Sequence, residues 1–250
     1  MNLSKRFLLS GMPGLLMLLA LTTSAQWDKK KPAEWSEKDA VKVLNDSPWG
    51  RTQVYTSPVE MFRTGDSSRP GGTARPGSSQ GQAQTNLPPN ATHVNFRVRF
   101  FSAKPIRLAM SRLMELKQKE MNQDLAAALK NLTSGEFLEY IVITVTVDSS
   151  EPGSNAQQAL GVLMAKGTAD LKNDSFLEIK GGKRIFIQEY QRPKKDGVGA
   201  RFIFQRLVDG NPFITEQSEE IHFYAPLSDS YKLDRRFKIK EMMYEGKLEY

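Results

Sequence analysis

The two histidines, His93 and His222, are the residues of this sequence best suited to metal binding or acid–base catalysis. Each lies in a stretch with the pattern of a β-strand, and no His-x-x-x-His or similar spacing joins them. A metal site would therefore need carboxylate ligands that only the fold could supply. We expect both imidazoles to be neutral and hydrogen-bonded on a sheet face instead of acting as ligands or general bases. The sequence predicts no metal ligand and no cofactor.

Nucleophilic catalysis has no clearer signature. The chain contains no cysteine, so it has no thiolate nucleophile, no sulfur-bound metal and no disulfide. No Gly-x-Ser-x-Gly turn is present, and Gly197-Val198-Gly199 lacks the third glycine and the helix of a phosphate-binding loop. Acid pairs such as Glu136 with Glu139 are more simply explained as exposed carboxylates. We predict no catalytic residue, although an extracytoplasmic hydrolase with a site assembled from distant carboxylates stays open.

The first 25 residues have the organisation of an export signal. Lys5 and Arg6 precede an apolar stretch over residues 7–21, and small residues end the segment at Ala25. The apolar stretch is short and interrupted by glycine and proline, which favours a cleaved signal over a membrane-spanning helix. We expect cleavage after Ala25, export to the periplasm or the exterior, and no transmembrane span in the mature chain. The alternative is an uncleaved anchor.

Basic residues are concentrated in one part of the chain. The net charge is +7, and residues 180–206 contain eight basic residues against two acidic ones. This segment is suited to weak binding of a membrane surface or an acidic polymer, with Lys183, Arg184, Lys194 and Lys195 as candidate contacts. The alternative is a solvated hairpin whose lysines discourage pairing between sheet edges. No sequence-specific nucleic-acid binding is expected.

Composition divides the mature chain into three parts. Residues 26–63 hold one short helix with Ser36 as its N-cap, and Pro48 should end that helix near Asn45. Residues 64–92 read as a flexible linker, because their glycines, prolines, serines and glutamines offer little apolar surface to offset the entropy of ordering. Residues 93–250 read as one folded domain.

Hydrophobic periodicity assigns the elements of this domain. Residues 93–100 alternate between apolar and polar, which predicts a strand with one buried face. Helical spacing follows over residues 105–132, with Asn122 dividing it, and a β-branched strand occupies residues 140–147. A helix over 155–166 precedes strands at 176–180, 183–191, 200–208, 221–225 and 236–240, with a hairpin turn at Gly181-Gly182. We predict an α+β fold with one mainly antiparallel or mixed sheet of about six to eight strands and two to three helices on one face.

Two features suit recognition of a partner. Arg97 and Arg99 lie side by side on the wet face of the first strand, where an aromatic neighbour would complete a flat cationic surface. Trp35 and Trp49 flank the short helix and could clamp another molecule. The alternatives are arginines that pair with acids on a neighbouring strand and tryptophans that anchor the helix to the main body.

The two ends of the chain resemble a group of exported bacterial proteins of unknown function. The similarity rests on Trp35, Asp39, Leu44 and Ser47-Pro48-Trp49 before a Gly/Pro/Gln-rich interval, and on the ending over residues 237–250. It implies an exported protein without an established activity and supplies no catalytic residue. We therefore expect a non-enzymatic interaction or envelope-associated module, whose partner is another envelope or extracellular protein. A weak polyanion or membrane-surface binder acting through residues 180–206 is a further alternative.

Overall fold

The computed structural model describes residues 30–56, 93–118, 120–149 and 154–250. The predicted signal at 1–25 and the predicted linker at 64–92 lie outside the described residues. The fold is α+β; about 33% of the described residues are helical and 35% lie in strands, and the sheets are antiparallel. This confirms the fold class predicted from the sequence.

Four helices of nine or more residues are present in the described residues. They are α1 (Glu37–Asn45), α2 (Lys104–Lys117), α3 (Gln123–Ser134) and α4 (Ser154–Ala165), followed by the single turn α5 (Thr168–Leu171). As predicted, Asn122 separates α2 from α3, since its side chain accepts a hydrogen bond from the Leu125 amide and caps α3. Helix α1 packs mainly on α2, whereas α4 lies against two strands of the larger sheet.

The strands form two main sheets. The five-stranded sheet has the order β1-β2-β3-β7-β6 and contains β1 (Gly50–Thr56), β2 (His93–Phe100), β3 (Tyr140–Ser149), β6 (Glu189–Gln191) and β7 (Ala200–Gln205). The four-stranded sheet has the order β11-β10-β4-β5 and contains β4 (Phe176–Ile179), β5 (Arg184–Phe186), β10 (Glu220–Pro226) and β11 (Lys232–Lys238). Two short ribbons pair β8 (Leu207–Val208) with β9 (Asn211–Pro212) and β12 (Met243–Tyr244) with β13 (Lys247–Leu248).

The division into two sheets differs from the single sheet expected from the sequence. The segment 183–191, which reads as one strand, changes sheets at its centre. The Ile187 amide donates to the carbonyl of Ser175, the residue before β4 of the smaller sheet, and the next amide, that of Gln188, donates to Ile203 in the larger sheet. The alternation shifts by one residue at this bend, because Gln188 and Glu189 are both exposed between buried Ile187 and buried Tyr190.

The hydrophobic core lies between the inner faces of the two sheets. Phe100 meets Phe237 edge-to-face at 4.8 Å between ring centroids, and Phe202 meets Phe223 at 5.3 Å. All four rings are fully buried. Aromatic pairs of this geometry are worth about 0.5–1.5 kcal/mol beyond the area they bury. They fix the two sheets against each other and leave two outer faces directed away from the core.

The N-terminal segment is part of this same body. Ser36 caps α1 and forms a capping box with Asp39, and the helix ends at Asn45 as predicted. Hydrogen bonds from Lys30 and Ser36 hold the pKa of Asp39 down at about 2, so the box keeps its charge at neutral pH. Strand β1 then pairs along its whole length with β2.

The free edge of β1 is joined to β11 of the other sheet by side chains. The Gln53 amide donates to the Lys232 carbonyl and accepts from the Asp234 amide, at 2.7 and 2.9 Å. The Tyr55 hydroxyl also bonds the backbone of Lys232. These side chains pair with backbone groups of Lys232 and Asp234, which leaves the edge of β11 less open to another strand.

Candidate functional site

His222 lies between two carboxylates on the outer face of the four-stranded sheet. Its Nε2 is 2.9 Å from Oδ1 of Asp234, and its Nδ1 is 3.4 Å from Oε2 of Glu178. The three residues come from adjacent strands, because β10 pairs with β4 on one side and with β11 on the other. Arg184 on β5 reaches the other oxygen of Glu178 at 3.1 Å. Its hydrogen bond holds the pKa of Glu178 below the ordinary value.

Aromatic rings surround this ionic group on the same face. Phe176 stacks on Tyr224 at 5.3 Å between centroids, and it meets Phe186 and His222 edge-to-face at 6.1 and 5.9 Å. The Arg184 guanidinium lies 4.3 Å from the Phe176 ring centroid. We call this surface the aromatic-ionic face; its residues are Phe176, Glu178, Arg184, Phe186, His222, Tyr224, Asp234 and Arg236.

The period of the strands explains why these side chains share one face. Phe176 and Glu178 alternate on β4 with Leu177, which is fully buried, and His222 and Tyr224 alternate on β10 with buried Phe223. Cross-strand register then places Tyr224 opposite Phe176 and His222 opposite Glu178. The sequence contains this alternation, because in each strand a buried apolar residue is followed by a residue of the outer face, which is either aromatic or charged. What it lacks is the register that joins them.

The arrangement is poorly suited to catalysis or metal binding. Each ring nitrogen of His222 faces a carboxylate oxygen, so neither is open to take a proton from a substrate. Its hydrogen-bond partners among the described residues are both carboxylates, and neither is a hydroxyl nucleophile. Among the described residues, no group of three or more His, Cys, Asp or Glu is placed to hold a metal ion. The described carboxylates with a shifted pKa, those of Asp39, Glu178 and Asp196, all have it lowered, whereas a general acid needs it raised.

The other histidine lies far from this group in the sheet order. His93 is the first residue of β2 and pairs with Thr56 on the larger sheet, so the two histidines belong to different sheets. Its side chain is half-buried.

Trp35 and Trp49 are packed inside the protein. Each is 1% exposed and belongs to the hydrophobic core. The Trp49 indole donates to the Glu249 carbonyl at 2.8 Å, and the Trp35 carbonyl accepts from Arg112 on α2 at 2.9 Å. Both rings therefore anchor α1 and its flanks to this chain, and neither offers a surface to a partner.

Arg97 and Arg99 both engage groups of their own chain. Arg97 makes two contacts to Asp148 on the neighbouring strand, at 3.0 and 3.2 Å. Arg99 is more deeply buried, and its guanidinium binds the Leu44 carbonyl and the Asn45 side chain at the end of α1. Burial lowers the pKa of Arg99 to about 10, which still leaves it charged at neutral pH. These two arginines hold α1 and the sheet together.

The basic segment is split between separate surfaces. Arg184 belongs to the aromatic-ionic face, where it pairs with Glu178. Lys194 and Lys195 lie in the turn between β6 and β7, on the other sheet, and Lys183 lies in the β4–β5 turn; all three are exposed. The residues that are close in sequence thus do not make one continuous cationic patch.

Comparisons of the chain with protein-family models, curated proteins and solved structures find no significant match. Within the described part of the chain, none of the helices has the length and apolar character needed to cross a membrane.

Proposed function

We propose that this protein is an exported, non-enzymatic binding module that engages an acidic polysaccharide through the aromatic-ionic face. The observation that carries the proposal is the stacked, half-buried Phe176–Tyr224 pair beside Arg184, with Arg236 opposite His222 on the same outer face. Export rests on the signal pattern of residues 1–25.

Exposed aromatic surface is the first support. Phe186 is 49% exposed, although burial of a phenylalanine normally stabilises the fold. It extends the aromatic row that begins at Tyr224 and Phe176. A row of rings on an open sheet provides flat apolar contact for the faces of sugar rings, and its strands hold the rings in place without a partner.

Charge is the second support. Arg184 and Arg236 are each paired with one acid, Glu178 and Glu220, yet their side chains are 47% and 59% exposed. A guanidinium has five N–H donors, so each retains donors for an anionic ligand. Lys232 and Lys238 on β11 are also exposed at the border of the face, and Lys238 pairs with Glu241 at 3.2 Å.

Salt-dependent binding to immobilised polygalacturonate, a polymer of anionic sugars, tests this proposal. We expect the mature chain to bind, and the double variant K232Q/K238Q to lower the slope of log affinity against log salt by about 2, one per lost cationic contact. The matched control is K194Q/K195Q, which removes the same charge from the β6–β7 turn and should leave the slope unchanged. Equal effects of the two double variants would show that net charge alone drives retention.

The hydrolase alternative is tested on the same polymer. We expect no release of reducing ends when the mature chain is incubated with polygalacturonate. Release that is lost in H222Q would establish a catalytic role for His222 and contradict the proposal.

A further inference from the structure

A cleft lies on the outer face of the five-stranded sheet, whereas the aromatic-ionic face belongs to the four-stranded sheet. It has a volume of about 340 Å³, within the usual range for sites that hold small molecules. Strands β3, β7 and β6 form its floor, and the segments after β2 and after α3 form its wall. The lining residues are Phe101, Phe137, Tyr140, Val142, Gln188, Glu189, Arg201 and Ile203.

The floor is apolar between two charged side chains. Ile203 on β7 pairs with Val142 on β3 and with Glu189 on β6, which gives one row across the sheet. Arg201 lies two residues before Ile203 and so projects from the same face. It is the diagonal cross-strand neighbour of Glu189, a position about 7 Å away in an antiparallel sheet.

The aromatic wall is held in place by a buried arginine. Arg107 on α2 donates to the carbonyls of Leu132 and Gly135, which fixes the end of α3 and the turn after it. Its guanidinium also lies 5.1 Å from the ring centroid of Phe137, and Phe137 meets Phe101 edge-to-face at 5.9 Å. The wall is therefore formed before any ligand arrives, which reduces the entropy lost on binding.

Arg201 has hydrogen-bonding capacity that the protein does not use. Its Nη2 donates to Asp196 at 2.7 Å, while its Nη1 is buried and has no partner among the described residues. A guanidinium has five N–H donors, so Arg201 retains donors for an anionic ligand after it pairs with Asp196. Glu189 at the other side of the floor is exposed and accepts one bond from Gln191, which leaves its second oxygen for a cation.

We infer that this cleft binds a free α-amino acid with an aromatic or aliphatic side chain. Arg201 binds the carboxylate, Glu189 binds the ammonium group, and the side chain lies on Val142 and Ile203 against the aromatic wall. A ligand with only a negative charge would pair with Arg201 alone, and one with only a positive charge would pair with Glu189 alone. This inference concerns a separate surface and does not depend on the binding of polysaccharide.

Calorimetric titration with four related compounds tests the inference. L-phenylalanine has both charges, 3-phenylpropionate only the carboxylate, phenethylamine only the ammonium, and N-acetyl-L-phenylalanine amide neither. We expect L-phenylalanine to bind at least about tenfold more tightly than each of the others, since each lacks one or both charged hydrogen bonds. Equal or tighter binding of the N-acetyl amide would overturn the inference and indicate a residue within a peptide as the occupant.

Two variants assign the charged contacts. E189Q should weaken L-phenylalanine and phenethylamine about tenfold and leave 3-phenylpropionate unaffected, whereas R201M should weaken L-phenylalanine and 3-phenylpropionate and spare phenethylamine. Retained phenethylamine binding shows that R201M still folds. E139Q is the control, because it removes an exposed acid that does not line the cleft. Loss of affinity in E139Q equal to that in E189Q, or no binding of L-phenylalanine by the unaltered chain, would contradict the inference.

Discussion

Replacement of Gly199 with alanine is expected to reduce the free energy of unfolding by more than about 3 kcal/mol. Two effects add: alanine would be strained in this backbone conformation, and its Cβ atom would clash with β3. Gly199 has a φ of +91°, a backbone conformation that residues other than glycine rarely adopt. A Cβ atom here would lie 2.3 Å from the Val145 carbonyl oxygen and 2.6 Å from Cγ2 of Thr146. Strand β7 would have to move off β3, with the loss of the pairing that places Arg201 and Ile203 in the cleft.

Gly197 provides the matched control for this substitution. It also has a positive φ, +74°, but an added Cβ would have no atom within 4 Å. G197A should therefore cost only the backbone strain, about 1–2 kcal/mol. Urea unfolding of both variants measures the difference. Equal losses would mean that β7 does not approach β3 as closely as the structure shows.

Replacement of Arg99 with methionine is expected to destabilise the fold by about 3 kcal/mol, because buried acceptors lose a charged donor. The guanidinium binds the Leu44 carbonyl at 3.0 Å, the Asn45 side chain at 2.8 Å and the Thr146 hydroxyl at 3.0 Å. It also places a positive charge at the C-terminal end of α1, where the helix dipole favours it. Without it, α1 should detach more readily from the sheet.

Arg97, two residues earlier, gives the comparison. It pairs with Asp148, whose side chain is 51% exposed, and such exposed pairs contribute about 0–1 kcal/mol. R97M should therefore cost about 1 kcal/mol or less by urea unfolding. A larger loss in R97M than in R99M would contradict the assignment of Arg99 as the residue that fixes α1. Both variants, where folded, should bind polygalacturonate as the unaltered chain does.

Local features of the fold were predictable from the sequence because short-range rules govern them. Ser36 and Asn122 each cap a helix: the side chain accepts a hydrogen bond from an amide of the first turn, and the helical spacing of apolar residues begins just after it. The alternation over β2 predicts a strand with Phe96 and Phe100 buried, and both are fully buried. The Gly181-Gly182 turn predicts the antiparallel β4–β5 hairpin, which the structure contains.

The candidate sites were not predictable because strand register and chain bends decide them. His222 and Glu178 are separated by 44 positions and meet only through the pairing of β10 with β4. The cleft depends on the antiparallel pairing of β7 with β3, which places Ile203 opposite Val142 although the two strands are distant in the sequence. Arg97 and Arg99 are candidate binding residues in the sequence because alternation places them on an outer face. The sequence does not show that Arg97 pairs with Asp148 or that Arg99 binds the end of α1.

The most direct test of the aromatic-ionic face is amide NMR of residues 26–250 during titration with short polygalacturonate oligomers. The largest chemical-shift changes should fall in β4, β5, β10 and β11, around Phe176, Arg184 and Tyr224. Changes centred instead on Lys194 and Lys195, or no saturable change in any strand of the four-stranded sheet, would contradict a binding surface at this face.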